Sequence, residues 1–137
     1  MKTIAIFDDS MKLLNKVLDL RAENEKVIAS NIANSETPGY APAKFVFEEE
    51  LKHAITKGGH SITTTHQQHF PVNGPDFESV TGKIRLEPDT TQIGDQNAVS
   101  LDEEMMNLSK NELLYETSAQ LLKKKLNILK YVVQGGG

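Results

Sequence analysis

The sequence predicts a mainly α-helical protein, in which long N- and C-terminal helices pair as a coiled-coil layer and an irregular or partly β segment lies between them. Residues 1–34 contain neither Pro nor Gly, and residues 100–134 repeat apolar side chains with heptad spacing. All 5 Pro residues fall within residues 35–99. These observations divide the chain into an N-terminal helix at 1–34, a middle segment at 35–99, and a C-terminal heptad helix with a Gly tail at 100–137.

The N-terminal helix is expected from about Asp9 to Asn34, because Asp8, Asp9 and Ser10 offer N-cap side chains and no helix breaker follows them. Its apolar residues recur at intervals of three and four, which gives the helix one apolar face. The candidate assembly surface on this face comprises Leu13, Val17, Leu20, Val27, Ile28 and Ile32. Because the centre of the helix carries no large apolar residue, the helix should depend on packing more than on intrinsic propensity.

The middle segment is expected to lack long regular elements. Residues 45–56 predict one or two helical turns around Phe47, Leu51 and Ile55, and the alternation over residues 83–87 predicts a short strand. From residue 53 to residue 98, apolar residues are too few to build an independent core. We therefore expect an irregular arm, or a largely disordered linker, until a partner binds it.

The C-terminal helix is expected from Ser100 to about Gln134 and has the strongest pattern in the chain. Ser100 and Glu103 fit a capping box, and heptad core positions follow that are apolar except at Glu112. The candidate assembly surface on this helix comprises Leu101, Met105, Leu108, Tyr115, Leu122, Leu126 and Leu129. Its acidic residues lie in its first half and four of its five Lys residues in its second half, which complements the helix dipole and favours staggered packing between neighbouring copies.

A turn motif follows the N-terminal helix. Asn34 can take the left-handed conformation, Pro38 prevents continuation of the helix, and Gly39 permits the positive φ of a tight turn. Asn31 and Asn34 lie on one helical face, where their amides can hydrogen-bond a neighbouring backbone, and Tyr40 adds an aromatic ring with a hydroxyl. On these properties alone, an ordinary helix C-terminus with a turn explains the segment.

The same segment carries a resemblance to a known family. Residues 30–40, from Ser30 to Tyr40, are similar to the shared N-terminal signature of the bacterial flagellar rod proteins. Residues 97–105, 111–115 and 120–122 look like the C-terminal region of the proximal rod members of that family. There are two small departures, since Ala41-Pro42 stands where a basic residue commonly follows the Tyr, and residues 95–97 replace a typical Asp-Gly-Asn turn.

This resemblance implies a structural subunit of the proximal rod of the flagellar basal body. Such a subunit would leave the cell through the flagellar type III export apparatus without a cleaved signal peptide. It would polymerise in the periplasm into a hollow drive shaft that transmits torque and lets exported axial proteins pass. The implied partners are copies of the chain itself, other rod subunits, and the MS-ring and export-gate junction proteins at the rod base. The residues implied to orient the turn that leaves the helical layer are Asn31, Asn34, Thr37, Pro38, Gly39 and Tyr40.

Composition and motifs argue against most other functions. A net charge of −4 provides no basic field for nucleic acid, and the apolar stretch at residues 4–7 is too short for membrane insertion. The chain has no Cys, and a metal site at His66 and His69 would need a helix that the flanking Thr and Pro residues oppose.

No catalytic motif or phosphate-binding loop is present, so we expect neither an enzyme nor a cofactor. The alternative function is a soluble coiled-coil adaptor, or an export-chaperone-like module, that presents its heptads to a partner helix.

Overall fold

A computed structural model describes residues 2–59, 76–88 and 99–135 of the chain. Its elements are α1 (Lys2–Ala33), β1 (Ala43–Val46), α2 (Glu48–Gly59), β2 (Lys83–Leu86) and α3 (Leu101–Val133). The helices α1 and α3 pack in antiparallel directions, because residue 24 meets residue 111 while residue 31 meets residue 104. The prediction of a mainly α protein, with paired terminal helices and a small irregular and partly β middle, is confirmed.

Helix α1 begins earlier than its capping residues predict. It starts at Lys2, so Asp8, Asp9 and Ser10 lie inside the helix and the predicted start at Asp9 is wrong. The residues before Asp8 include no Pro or Gly, so nothing takes the backbone out of the helical conformation there. With 32 residues, α1 is about 48 Å long at ~1.5 Å per residue.

The turn after α1 places its one left-handed residue later than expected. No non-Gly residue among those described has a positive φ, so the left-handed conformation predicted for Asn34 is wrong. The backbone N–H and side-chain Nδ2 of Asn34 both donate to the Ser30 carbonyl, at 3.1 and 2.8 Å, which satisfies that helix-terminal acceptor without a left-handed cap. Gly39 has a φ of 73°, and the predicted positive φ at this residue is confirmed.

Helix α3 begins at the predicted cap. Ser100 has extended backbone angles, with φ −85° and ψ 107°, and its hydroxyl accepts a hydrogen bond from the Glu103 backbone N–H at 3.4 Å. Asp102, Glu103 and Glu104 occupy the first turn, where their negative charges interact favourably with the positive end of the helix dipole. The helix runs for 33 residues to Val133, so its predicted extent is confirmed within a residue or two.

The middle segment contains a two-stranded antiparallel sheet. Strand β1 pairs with β2 so that Phe45 lies opposite Ile84, and the Glu87 N–H donates to the Pro42 carbonyl at 2.8 Å. The strand predicted at residues 83–87 is confirmed. The helix predicted within residues 45–56 is partly wrong, because Phe45 lies in β1 and α2 begins at Glu48 and runs for 12 residues.

The core is shared between α1 and the middle segment. Leu20, Phe47 and Val80 are buried together, with Phe45, Leu51 and Ala54 packed around them. The rings of Phe45 and Phe47 lie 5.4 Å apart between centroids. The middle segment therefore contributes side chains to a core that it completes only with the help of α1. Within the described ranges, no helix is long and apolar enough to cross a membrane.

Candidate assembly interface

The face of α3 that meets α1 is turned by about 50° around the helix axis from the predicted heptad face. The residues at 108, 115, 122 and 129 occupy the heptad position common to both faces, and Leu108 and Leu122 among them are half-buried, but the second heptad position differs. Asn111 is 2% exposed, and Glu104, Ser118 and Lys125 are half-buried, whereas Met105 and Leu126 are 53% and 46% exposed. The predicted seam residue Glu112 is exposed as well. One of the two heptad positions that form the seam between the helices is therefore occupied by a polar residue in every heptad from residue 104 to residue 125.

Asn111 joins α3 to α1 through its side-chain amide. Its Oδ1 accepts a hydrogen bond from Asn24 Nδ2 at 2.9 Å and a longer one from Arg21 Nη1 at 3.5 Å. Its Nδ2 donates to the backbone carbonyl of Arg21 at 2.8 Å. Both ends of a buried amide are thus satisfied by α1, which removes the desolvation penalty that an unpaired amide would carry.

Arg21 connects this pair of helices to the middle segment. Its guanidinium lies over the Phe47 ring, 4.8 Å from the ring centroid, and its Nη2 lies 3.3 Å from a carboxylate oxygen of Glu48 at the start of α2. The Arg21 side chain is only 13% exposed, while that of Glu48 is 68% exposed. The cation–π contact orients the guanidinium between α3 and the core.

Asn31 likewise joins α1 to α3 and to the middle segment, near the end of α1. Its Nδ2 donates to the Ala43 carbonyl at 2.7 Å and to Glu104 Oε2 at 3.1 Å. Its Oδ1 accepts from the Ala43 N–H at 2.9 Å and from the Tyr40 hydroxyl at 3.2 Å. The amide therefore pairs with both backbone groups of Ala43, as a neighbouring strand would, and fixes β1 beside α1.

The turn between α1 and β1 is exposed except at its ends. The Thr37 N–H donates to the Asn34 carbonyl at 2.9 Å and the Tyr40 N–H donates to the Thr37 carbonyl at 3.2 Å, which closes two successive turns. Thr37, Pro38 and Gly39 are exposed, whereas Tyr40 is half-buried against Asn31. The segment thus presents a hydrogen-bonded turn whose residues 36–39 are exposed.

The structure distributes the sequence-predicted surface residues over two environments. On α1, Leu20 and Ile28 are buried inside the subunit, and Leu13, Val17, Val27 and Ile32 are half-buried. On α3, Leu108 and Leu122 are half-buried, and the exposed members are Leu101, Met105, Tyr115, Leu126 and Leu129. The role of all these residues in assembly stays a prediction.

A second apolar surface on α3 was not predicted from the sequence. Met106 and Leu113 lie on the side of the helix opposite Asn111, Leu121 and Ile128 lie about a quarter turn from it, and all four are exposed. We call these four residues the outer stripe. Successive members are seven or eight residues apart, close to two helical turns, so a search for a second period on the same helix would have found them.

Four polar residues of the interior were also missed. Arg21, Asn24, Glu104 and Asn111 are polar residues in helices whose apolar periodicity was used to define the interface, so no contact between the helices was predicted for them. The only available signal was their spacing, since Asn24 and Asn31, like Glu104 and Asn111, are one heptad apart.

The described residues form packing and hydrogen-bond contacts, and they contain no candidate metal site. Across residues 2–59, 76–88 and 99–135, no three His, Asp or Glu side chains are grouped in a way that could hold a metal ion. His66 and His69, at which the sequence argued against a metal site, lie outside the described residues, and His53 is exposed on α2.

Comparison with known proteins gives consistent similarities. A family model described as "Flagella basal body rod protein" matches residues 20–40, the stretch that contains Arg21, Asn24, Asn31 and Tyr40. The flagellar basal body rod protein FlgB of Salmonella typhimurium is 31% identical over 134 residues, covering 94% of this chain and 96% of its own. FlgB of Escherichia coli K12 has the same identity and coverage, and FlgB of Cereibacter sphaeroides is 31% identical over 129 residues, covering 94% of this chain and 97% of its own.

Proposed function

The chain belongs to the flagellar basal body rod proteins related to FlgB, and from this premise we propose how it builds the rod. It is a structural subunit of the proximal rod, and it assembles with other rod components of the basal body. In the proposal, its paired helices pack side by side with those of neighbouring subunits. The result is a hollow shaft that transmits torque and lets exported axial proteins pass.

The observation that carries this proposal is the outer stripe of α3. Helix α3 is held by α1 on one side, and it exposes Leu113 by 64% and Met106 by 73% on the other. A helix with apolar side chains on both faces gains stability when both faces are covered. A subunit that packs in a layer between neighbours meets this condition, because each neighbour covers the face that α1 leaves open.

The partners and the route to the rod are finer parts of the proposal. The subunit would contact its own copies and other rod subunits, and at the rod base it would contact the MS-ring and export-gate junction proteins. It would reach the periplasm through the flagellar type III export apparatus without a cleaved signal peptide. The support for these parts is membership of the family, together with the implications of the rod-like signature at residues 30–40.

The alternative of a soluble adaptor or export-chaperone-like module is not favoured. An adaptor would account for the heptads of α3, but not for a match to rod proteins that covers 94% of the chain. The relatives are structural proteins of the rod, and we propose that this chain likewise acts through contacts alone, as neither an enzyme nor a cofactor-binding protein.

The test is a charge on the outer stripe. In a strain that lacks the chromosomal copy, Leu121→Asp should abolish swimming and leave basal bodies without a complete rod, because it places a carboxylate in a dry contact between subunits. The purified variant should keep the helix content of the unaltered chain, since Leu121 is exposed in the single subunit.

The matched control is Asn127→Asp, which adds the same charge at an exposed position of α3 that lies about 120° around the helix axis from Leu121. We expect normal rods and normal swimming for this variant. Normal rods with Leu121→Asp would contradict the use of the outer stripe in assembly.

A further inference from the structure

Helix α3 could pack on α1 through either of two neighbouring faces. Both include Leu108, Tyr115 and Leu122. One face adds Met105, Glu112, Ala119 and Leu126, and the other adds Glu104, Asn111, Ser118 and Lys125. Burial of apolar area favours the first face, yet the fold uses the second and leaves Met105 and Leu126 about half exposed. Something other than apolar burial selects the rotation of the helix.

The hydrogen bonds of Asn111 are specific to the observed rotation. The two faces share one heptad position and differ by one residue at the other, so their centres lie ~50° apart around the axis and moving to the first face would turn α3 by about that angle. The turn would carry the Asn111 amide away from Asn24 Nδ2 and from the Arg21 carbonyl, which now lie at 2.9 and 2.8 Å. It would also leave the polar side chain of Asn24 facing an interface without its partner.

A second contact supports the same rotation one heptad away. Asn31 Nδ2 donates to Glu104 Oε2 at 3.1 Å, and Asn31 follows Asn24 by seven residues as Asn111 follows Glu104. Two polar contacts with this spacing lie on one face of each helix. Both contacts would be lost together if α3 turned.

We propose that Asn111 is a positioning residue whose pairing with Asn24 and Arg21 fixes the rotation of α3 on α1. The rotation keeps Met105 and Leu126 on the surface with the rest of the apolar side chains that α1 does not cover. Buried polar residues act in this way in coiled coils, where a single amide specifies alignment at some cost in stability. In the rod, neighbouring subunits would cover this surface, and this one consequence rests on the proposed function.

The test uses single cysteines as reporters in a chain that has none of its own. Met105→Cys and Leu126→Cys are made separately, in the full chain and in the full chain with Asn111→Ala. The rate of thiol labelling is measured in the presence of trimethylamine N-oxide, an osmolyte that favours the folded state, at a concentration that gives full helix content by circular dichroism. The two reporters lie on either side of Asn111, so local fraying would change only one of them.

With Asn111→Ala, we expect the labelling rates at both reporters to fall by about tenfold, because loss of the amide contacts lets α3 turn and bury them. A residue that only stabilised the fold would give the opposite sign, since a loosened structure exposes both thiols. Asn107→Ala is the matched control, because Asn107 is an exposed Asn on the same helix, and it should leave both rates unchanged.

Unchanged or faster labelling with Asn111→Ala would overturn the proposal, as would a parent chain that forms no helix pair in the osmolyte. These rates are measured on the single subunit and do not depend on rod assembly. Failure of this test would leave the rod assignment untouched, whereas failure of the Leu121→Asp test would leave the rotation untouched.

Discussion

Asn31 makes four hydrogen bonds with a side chain that is only 2% exposed. It uses both amide hydrogens and accepts twice at its oxygen, so its full bonding capacity is met inside the protein. The residue fixes the start of β1, the Tyr40 ring and the first turn of α3 relative to α1. At the scale of single residues, this amide connects the turn motif to the rest of the tertiary fold through hydrogen bonds.

Asn31→Ala should lower the free energy of unfolding by about 1–3 kcal/mol, because it leaves Ala43, Tyr40 and Glu104 without their buried partner. Urea unfolding followed by circular dichroism measures the loss. Asn34→Ala is the matched control, since Asn34 bonds only to Ser30 and Thr37 nearby in sequence, and it should cost less than about 1 kcal/mol. Equal losses for the two variants would show that Asn31 has no special role.

Two glycines with positive φ provide a second comparison. A Cβ at Gly82 would overlap the Phe45 ring, reaching within 2.8 Å of Cε2, whereas a Cβ at Gly39 would meet nothing within 4 Å. Gly39→Ala should therefore cost about 1 kcal/mol for its left-handed backbone alone. Gly82→Ala should cost about 1–3 kcal/mol more, because the core must also shift. Similar midpoints for the two variants in thermal unfolding would contradict this account of Gly82.

At the scale of elements, α3 has one face that packs on α1 and another that is exposed, which we propose contacts a neighbouring subunit. Leu122 faces α1 and is half-buried, whereas its neighbour Leu121 lies on the outer stripe and is 49% exposed. A helix of 33 residues is long enough to serve both its partner in the subunit and a neighbour. Substitutions at adjacent positions should therefore separate folding from assembly.

Leu122→Asp should weaken the pairing of α1 with α3, because it puts a carboxylate into the apolar part of their seam. We expect a lower unfolding midpoint in urea for Leu122→Asp and an unchanged midpoint for Leu121→Asp. If both variants unfolded like the parent chain, the observed orientation of α3 would be incorrect.

The cap of α3 allows a smaller element-scale test. Ser100→Ala removes the hydroxyl that accepts from the Glu103 N–H, and it should destabilise the helix by about 1 kcal/mol. Ser109→Ala, at an exposed position inside the same helix, should have no cost, since Ala has the higher helix propensity. Thermal unfolding followed by circular dichroism compares the two, and equal midpoints would contradict the capping role of Ser100.

At the scale of the whole molecule, the subunit has a small core and a long exposed apolar helix. Its buried apolar residues in the described part are Leu20, Ile28, Phe47, Phe77 and Val80. This is little burial to offset the conformational entropy of ordering two helices of more than 30 residues. In the proposed rod, assembly would add burial on the outer stripe without requiring a different fold.

We therefore expect helix content to rise when the isolated chain is mixed with other rod subunits. Circular dichroism and analytical ultracentrifugation at micromolar concentration measure helix and mass together. A chain that is fully helical alone, and that ignores rod subunits, would instead support the adaptor alternative.

The sequence predicted the two long helices, the Ser100 cap, the strand at residues 83–87 and the positive φ of Gly39, because each depends on local chemistry. It predicted the wrong start for α1 and a left-handed Asn34, because a capping side chain permits a boundary without imposing one. The outer stripe was missed because the heptad pattern of α3 was assigned to a single face.

Local periodicity and the turn motif by themselves determined the helices, their order and the resemblance to rod proteins. Only the tertiary structure decided which face of α3 meets α1, since the apolar pattern allows two neighbouring rotations. The choice depends on where Asn24, Asn31 and the Arg21 carbonyl lie in space, and these groups are 73 to 90 residues from their partners in α3. Hydrogen bonds between such distant residues follow from the packed geometry, which no local pattern specifies.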